Sequence, residues 1–183
     1  MTTEQNLQEA FAGESQANRT YAVFAAQAES EGYRNVAKLY RAASEAEAIH
    51  ARKLFNVQGR VSTTSENLKK SVDGEVHEFK AMYPAFVREA EMEKKSEAIT
   101  AFTYAMRAEE VHAGLYEKAL LAVQGGRDLN QGKISICTIC GNIFLGEPPE
   151  KCPICSVFRK KFQENTLISF FPYSLELQSM VLE

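Results

Sequence analysis

Apolar residues recur along the first two thirds of the chain at spacings of three, four and seven, the period that lines one face of an α-helix. Between Asn6 and Glu31 the stripe reads Ala10, Glu14, Ala17, Tyr21, Phe24 and Ala28, and Gly32 closes it as a C-cap. Between Asn35 and Gln58 it reads Tyr40, Ala43, Glu47, His50, Leu54 and Val57, stopped by Gly59. Thr63 and Glu66 have capping-box spacing and open a third helix that is expected to reach Glu93. Its face carries Val72, Glu75, Glu78, Met82 and Phe86. After a Lys94-Lys95-Ser96 turn, a fourth stripe of Ala98, Phe102, Ala105, Glu109, His112, Tyr116 and Val123 runs to Gly125-Gly126. Carboxylates and imidazoles thus stand at positions that face a core.

The four helical patterns are an internal duplication. An offset of 62 carries Glu47 and His50 onto Glu109 and His112, Tyr21 onto Tyr83, Phe24 onto Phe86 and Ala28 onto Ala90. Gly13-Glu14 matches Gly74-Glu75 only at an offset of 61, so the second copy holds one extra residue before Tyr83. That residue lies beside Glu78, which has no carboxylate counterpart in the first copy. The third helix must absorb both the insertion and Pro84, whose ring removes a helical hydrogen bond. A π-bulge or kink is therefore expected between Gly74 and Pro84.

The rest of the chain follows different rules. Residues 127–133 are glycine-containing, without apolar period, and read as a linker between a helical domain over 1–126 and a small module over 134–165. The module has too few apolar residues to hold a fold without a staple. Residues 166–183 form an unusually apolar tail, with Leu167 to Tyr173 broken by Pro172. Interspersed charges and a net charge of -3 exclude a basic nucleic-acid surface. No signal peptide is recognisable, and no apolar run reaches the roughly 18 residues of a membrane span. A cytoplasmic protein is expected, and its four cysteines, grouped as Cys137-x-x-Cys140 and Cys152-x-x-Cys155, read as a metal site in a reducing compartment.

The chemistry follows from the spacings. A Glu-x-x-His pair puts both side chains on one helix face, where they grip one metal ion. Two such pairs, Glu47/His50 and Glu109/His112, with Glu14 and Glu75 from the other two helices, reproduce the inward ligand set of a ferritin-like di-iron or di-manganese four-helix bundle. Glu78 is surplus. Five carboxylates in a low-dielectric interior cannot all stay ionised without cations, and two metal ions resolve that conflict. Oxygen and imidazole donors suit iron or manganese. Tyr21 and Tyr83 are placed to hydrogen-bond the inner carboxylates, or else serve as aromatics with a wetted tip. His77 lies about 100° around the helix from Glu78 and about 200° from Glu75, and reads as a surface histidine. Gly13 and Gly74, costly in a helix interior, suggest close helix approach, with a flexible hinge as the alternative. The two cysteine knuckles specify a tetrahedral tetrathiolate site for iron or zinc. Beside a di-iron bundle an electron relay is the more economical use, because each two-electron turnover must be recharged from outside.

These residues closely resemble the rubrerythrin family, a ferritin-like di-iron bundle fused to a C-terminal rubredoxin domain. The resemblance spans about residues 4–163 through Phe11-Ala12-Gly13-Glu14-Ser15-Gln16-Ala17, Glu47-x-x-His50, Gly74-Glu75-Val76-His77-Glu78-Phe79, Met82-Tyr83-Pro84, Glu109-x-x-His112 and both knuckles. It implies two irons in the carboxylate site and one in the tetrathiolate site. The implied activity is reduction of hydrogen peroxide to water, protecting against oxidative stress, with electrons relayed through the rubredoxin iron. They come from an electron-donor protein or an NAD(P)H-dependent reductase. It also implies that one iron moves between His50 and Glu78 with redox state, and that the chains form homodimers in which each rubredoxin domain faces the partner's di-iron site. Ser156 departs from the glycine or alanine usual after the last cysteine, and Asn142 from an aromatic common after the first knuckle. A ferroxidase of the ferritin-like class is the competing expectation, although net iron oxidation needs no recharging relay. A third is a zinc-ribbon protein whose bundle binds a partner.

Overall fold

In the computed structural model, which describes residues 2–130 and 132–164, five α-helices precede a small three-stranded sheet. The described chain falls into two compact units that divide between Thr63 and Thr64. The apolar tail expected at 166–183 lies outside the described residues.

The first unit is a helical hairpin of α1 (Thr3–Ser30) and α2 (Arg34–Val57). Helix α1 starts three residues before the expected Asn6, because Thr2 and Gln5 form a reciprocal capping box that satisfies two otherwise free N–H groups. Gly32, at φ +86°, makes the turn into α2, a conformation that costs glycine little. The register of the pair is set by Asn18, which donates to the Ser44 carbonyl at 2.7 Å, while the Ser44 hydroxyl donates back to the Asn18 carbonyl at 2.9 Å. Phe11 packs on Phe55 with ring centroids 5.1 Å apart, and Gln58 donates to the Leu7 carbonyl.

The second unit begins with α3 (Thr64–His77), immediately after the Thr63 expected to cap it. A π-helical turn, Glu78–Met82, then leads into α4 (Tyr83–Met92), with Pro84 near the start of the new helix. The turn holds the residue by which the second copy exceeds the first. Proline is accommodated because its missing N–H falls where a fresh helical start leaves that donor unused. Lys94, at φ 59°, reverses the chain into α5 (Ser96–Gln124), against which α3 and α4 both pack.

The aromatic packing repeats as well. Tyr21, Phe24 and Tyr40 cluster in the first unit, with centroids 5.6 and 6.1 Å apart, and Tyr83, Phe86 and Phe102 cluster in the second, at 5.6–6.3 Å. Ala28 apart, the buried helical positions lie off the expected stripes. They are alanines, among them Ala25, Ala28 and Ala37 in the first unit and Ala90, Ala108 and Ala113 in the second, while Phe24 and Phe86 stay 46% and 40% exposed. Where two helices meet along one seam, small side chains occupy the line of closest approach and large ones splay beside it.

The small module pairs β1 (Ile134–Cys137) antiparallel with β2 (Ile143–Leu145) and with β3 (Phe162–Glu164), giving the order β2-β1-β3. Its core is unusual in composition. Cys137, Cys140, Cys152 and Ile154 are buried together with Ala108 of α5, with Tyr104, Val111, Phe144, Val157 and Phe162 packed around them. The module is therefore built onto α5 of its own chain.

Candidate metal centres

In the first unit, Glu14 of α1 meets Glu47 and His50 of α2. The Asn18–Ser44 clamp lies one turn from both carboxylates, so the helix register it fixes also fixes the triad. His50 Nδ1 stands 2.9 Å from Glu47 Oε2 and 3.8 Å from Glu14 Oε1. The Glu14 carboxyl is raised above its ordinary range, first by its hydrogen bond with Glu47 and then by burial, with His50 opposing. The ligand atoms of the three residues lie within 4.8 Å of one another, close enough for one cation to touch them all.

In the second unit, Glu75 of α3 meets Glu109 and His112 of α5. His112 Nδ1 lies 2.6 Å from Glu109 Oε2 and 4.0 Å from Glu75 Oε2, and these three ligand atoms also fall within 4.8 Å. Burial pushes the Glu75 carboxyl up to about 7, with its hydrogen bond to Glu109 and the charges of Glu109 and Glu78 adding to the effect. Glu78 opens the π-turn, three residues beyond Glu75 and outside the triad. Its carboxyl is raised by burial and by Glu109, against the opposing pull of His77 and His112. Carboxylates held this far from their preferred charge state are a site prepared for cations.

The two tyrosines singled out from the sequence differ in setting. Tyr83 lies where burial and the charges of Glu78, Glu109 and Glu75 raise its phenol, whereas Tyr21 stacks against Tyr40. Among the described residues neither hydroxyl is hydrogen-bonded to a carboxylate. Tyr116 belongs to none of the motifs read from the sequence, yet burial, Glu75 and Glu109 raise its phenol too. The signal was available, since Tyr116 follows His112 by one helical turn on the same stripe. Among the described residues of its own unit, neither Gly13 nor Gly74 makes the close approach expected there. A Cβ at either position would meet nothing within 4 Å.

The four cysteines converge. Cys137 Sγ lies 3.6 Å from Cys155 Sγ, and Cys140 Sγ lies 3.5 Å from Cys152 Sγ. Disulfides at about 2.05 Å are excluded by those separations, while a tetrahedral ion with bonds near 2.3 Å would hold its sulfurs about 3.8 Å apart. The donor set therefore fits a single tetrahedral metal. Each knuckle closes with a residue in the left-handed region, Gly141 at φ 79° and Ser156 at φ 62°. This curls the chain back so that N–H groups aim at sulfur. Burial pushes the Cys140 thiol well up, and the Asn142 N–H hydrogen-bonded to it opposes that. Burial acts upward on Cys152 as well, but the N–H groups of Cys155 and Ile154 outweigh it and leave that thiol lowered. Asn142 is almost fully buried, and its Oδ1 has no hydrogen-bond partner among the described residues.

The second triad and the cysteine module touch. His112 Nε2 lies 3.1 Å from the carbonyl oxygen of Gly141, the residue after Cys140. Arg107, also on α5, donates to the Pro153 carbonyl in the other knuckle.

A helical domain bearing two Glu-Glu-His triads, followed by a tetrathiolate module, defines a two-centre non-haem metalloprotein. The chain belongs to the rubrerythrin family: the rubrerythrin family model matches residues 5–120, and the rubrerythrin rubredoxin-like domain model matches residues 136–163. Rubrerythrin-2 of Clostridium acetobutylicum is 37% identical over 171 residues, covering 86% of this chain and 93% of its own length. Nigerythrin of Nitratidesulfovibrio vulgaris is 37% identical over 174 residues, covering 87% and 84%. Among solved structures, the fully reduced, all-ferrous state of nigerythrin aligns over 90% of this chain and 87% of its own, with TM-score 0.54 and 33% identity. The fold class is accordingly mainly α, a ferritin-like helical domain followed by a small rubredoxin-like domain. No helix among the described residues is long and apolar enough to cross a membrane.

Proposed function

We infer that this chain is a non-haem di-iron peroxidase that reduces hydrogen peroxide to water, with electrons delivered one at a time through an iron in the tetrathiolate site. The observation that carries the reading is the combination in one chain of two Glu-Glu-His triads and a tetrathiolate cluster in direct contact with the second triad. In the assignment, Glu14, Glu47 and His50 serve one iron of the pair, and Glu75, Glu109 and His112 serve the other. Two ferrous ions in such a ligand set supply the two electrons that, with two protons, convert one hydrogen peroxide into two waters.

The protein's own contribution is charge and proton control. Four carboxylates in the two triads balance two dications without requiring further anions. Glu78 lies outside the second triad and has a raised carboxyl, so it is suited to hold a proton beside the site. It is also the residue that the family resemblance pairs with His50 as alternative ligands of one iron. Tyr83 and Tyr116 keep their phenol protons in the field of the second triad's carboxylates. The electrons originate from a donor protein or an NAD(P)H-linked reductase, and the protein works in the cytoplasm as part of the defence against oxidative stress.

The test is stoichiometric. Iron-loaded, anaerobically reduced protein is expected to consume hydrogen peroxide without releasing dioxygen, and the Glu75→Ala/Glu109→Ala variant to leave peroxide untouched. Protein that ignores peroxide but turns over dioxygen while accumulating ferric ions would be a ferroxidase, and the reading would fail.

A further inference from the structure

In a chain of net charge -3, residues 133–164 hold five lysines and arginines against three glutamates, and the pairing among them is uneven. Glu147 meets Lys133 at 3.1 Å and Arg159 at 2.5 Å, and these two, Lys133 foremost, hold its carboxyl below the usual range. Glu164 also faces Lys133, at 4.0 Å. Lys151, Lys160 and Lys161 are left over. All three are exposed, and among the described residues none has a carboxylate at ion-pair distance.

These lysines frame two exposed apolar side chains. Lys151 and Phe158 stand opposite each other in an antiparallel bridge, with Lys151 Nζ 4.8 Å from the ring centroid. Phe158 leads directly into the single turn Arg159–Lys161, and the Lys161 carbonyl accepts from the Thr138 N–H at 3.0 Å and from its hydroxyl at 2.8 Å. Ile139 comes next. One line of contacts thus runs from Lys151, which precedes Cys152, to Ile139, which lies between Cys137 and Cys140. The two knuckles share the pattern Cys-x-Ile-Cys, yet their isoleucines differ: Ile154 is buried in the cluster that includes Ala108 of α5, whereas Ile139 is 49% exposed and Phe158 51%. An apolar centre with a charged rim is the make-up of a protein interface, and a patch this small suits a transient encounter.

We propose that this face, with Ile139 and Phe158 at its centre and Lys151, Lys160 and Lys161 around them, docks an acidic protein that carries single electrons. That the partner is an electron carrier rests on the functional reading above, in which the tetrathiolate site is recharged from outside. That it is acidic rests on the lysines. A divalent ion on four thiolates leaves a dianion, but three unpaired lysines outnumber its charges and hold their heads in water while the sulfurs are largely buried, so the face presented to a partner stays cationic. Such a rim steers an anionic partner toward the knuckles and makes the encounter sensitive to salt. The apolar centre then excludes water from the contact.

The test uses full-length, 15N-labelled protein loaded with zinc, so that binding is read without electron exchange, and a plant-type ferredoxin as the acidic carrier. At low salt, added ferredoxin is expected to shift the amide signals of Thr138, Ile139, Lys151 and Phe158 to Lys161 and to leave residues 3–57 in place. Raising the salt until the Debye length is about 3 Å should abolish the shifts. Lys160→Glu/Lys161→Glu is expected to weaken binding at least about tenfold, while Lys94→Glu/Lys95→Glu, in the turn before α5, leaves it unchanged. Any of four results would overturn the proposal: shifts confined to the helices, equal effects of the two variants, no binding at low salt, or tighter binding to phosphatidylglycerol vesicles than to the ferredoxin. Peroxide consumption by the chemically reduced, iron-loaded wild type is measured alongside. Docking by protein that ignores peroxide would refute the functional reading and leave the face standing, whereas peroxide consumption without docking would refute the face alone.

Discussion

Glu14, Glu47 and His50 on one hairpin repeat as Glu75, Glu109 and His112 on the other, yet the two copies sit in different surroundings. The His50 side chain is 56% exposed, and its hydrogen-bond partner is a carboxylate. His112 is 15% exposed and is held at both nitrogens, by Glu109 and by the Gly141 carbonyl. Glu14 is raised mainly by sharing a hydrogen bond with Glu47, whereas burial comes first for Glu75. Among the described residues, only the second copy has the π-turn, the surplus Glu78 and a module built against it. A duplicated motif need not make duplicated chemistry: one inserted residue and one docked module set the second copy apart as the half in contact with the thiolates.

The comparison can be broken most severely at the cysteines. Removing the thiolate metal, or replacing Cys140 by alanine, is expected to unfold the β1-β2-β3 module, because the cysteines are most of its buried core. The metal contributes folding free energy of order 10 kcal/mol in small tetrathiolate and related sites. The α1–α2 hairpin should be untouched. NMR spectra that lose dispersion in residues 134–164 and keep it in residues 3–57 would bear this out, and a module that stays folded without metal would refute it.

A sharper contrast concerns the two histidines in metal-free protein. His112→Ala removes two hydrogen bonds at a largely buried position and should cost about 1–3 kcal/mol. His50→Ala removes an exposed pair and should cost less than about 0.5 kcal/mol. Urea denaturation of both variants measures the difference, and equal costs would erase the asymmetry.

Acidity distinguishes the halves next. Glu75 binds its proton more tightly in the folded chain than in the unfolded one, with its pKa raised from 4.5 to about 7. Folding therefore takes up a proton between those values. The contribution of Glu75 to metal-free stability should be full below pH 4.5, fall as pH rises through about 7, and be flat above. Glu75→Gln should flatten the slope more than Glu14→Gln. Since the ligand must be ionised, metal affinity at the second triad should drop about tenfold per pH unit below about 7, checked by competitive chelator titration.

The smallest effects are at single backbone positions. Ser156 stands at φ 62°, where a side chain is strained, and Ser156→Gly should stabilise by about 0.5–1 kcal/mol. Gly74→Ala should stabilise α3 by up to about 1 kcal/mol, because nothing lies within 4 Å of the added Cβ. Destabilisation there would mean that another chain element approaches α3 in solution.

Helices and the two Glu-Glu-His triads were largely legible in the sequence because both depend on local periodicity. The offset between Glu14/Glu75 and Glu47/Glu109 located the inserted residue, and Pro84 limited where a π-turn could absorb it. Three features were not legible. Thr2 begins α1 through a side-chain cap that the apolar stripe does not register. The alanines at the helix seam are buried because helices meet there, a tertiary fact that reverses the expectation for Phe24 and Phe86. The contact between His112 and Gly141 joins residues 29 positions apart in two different modules, and no periodicity encodes it. Tyr116 lies on the visible stripe, but a phenol one turn from a triad histidine has no signature until the carboxylates around it are placed.

The most direct test of the whole account is anaerobic rapid mixing of reduced, iron-loaded protein with hydrogen peroxide, following the visible absorbance of the thiolate-bound iron. Fast reappearance of the ferric chromophore with peroxide, slow reappearance with dioxygen, and neither in Glu75→Ala/Glu109→Ala is the expected result. A chromophore indifferent to peroxide in the wild-type protein would contradict the coupling of the two centres.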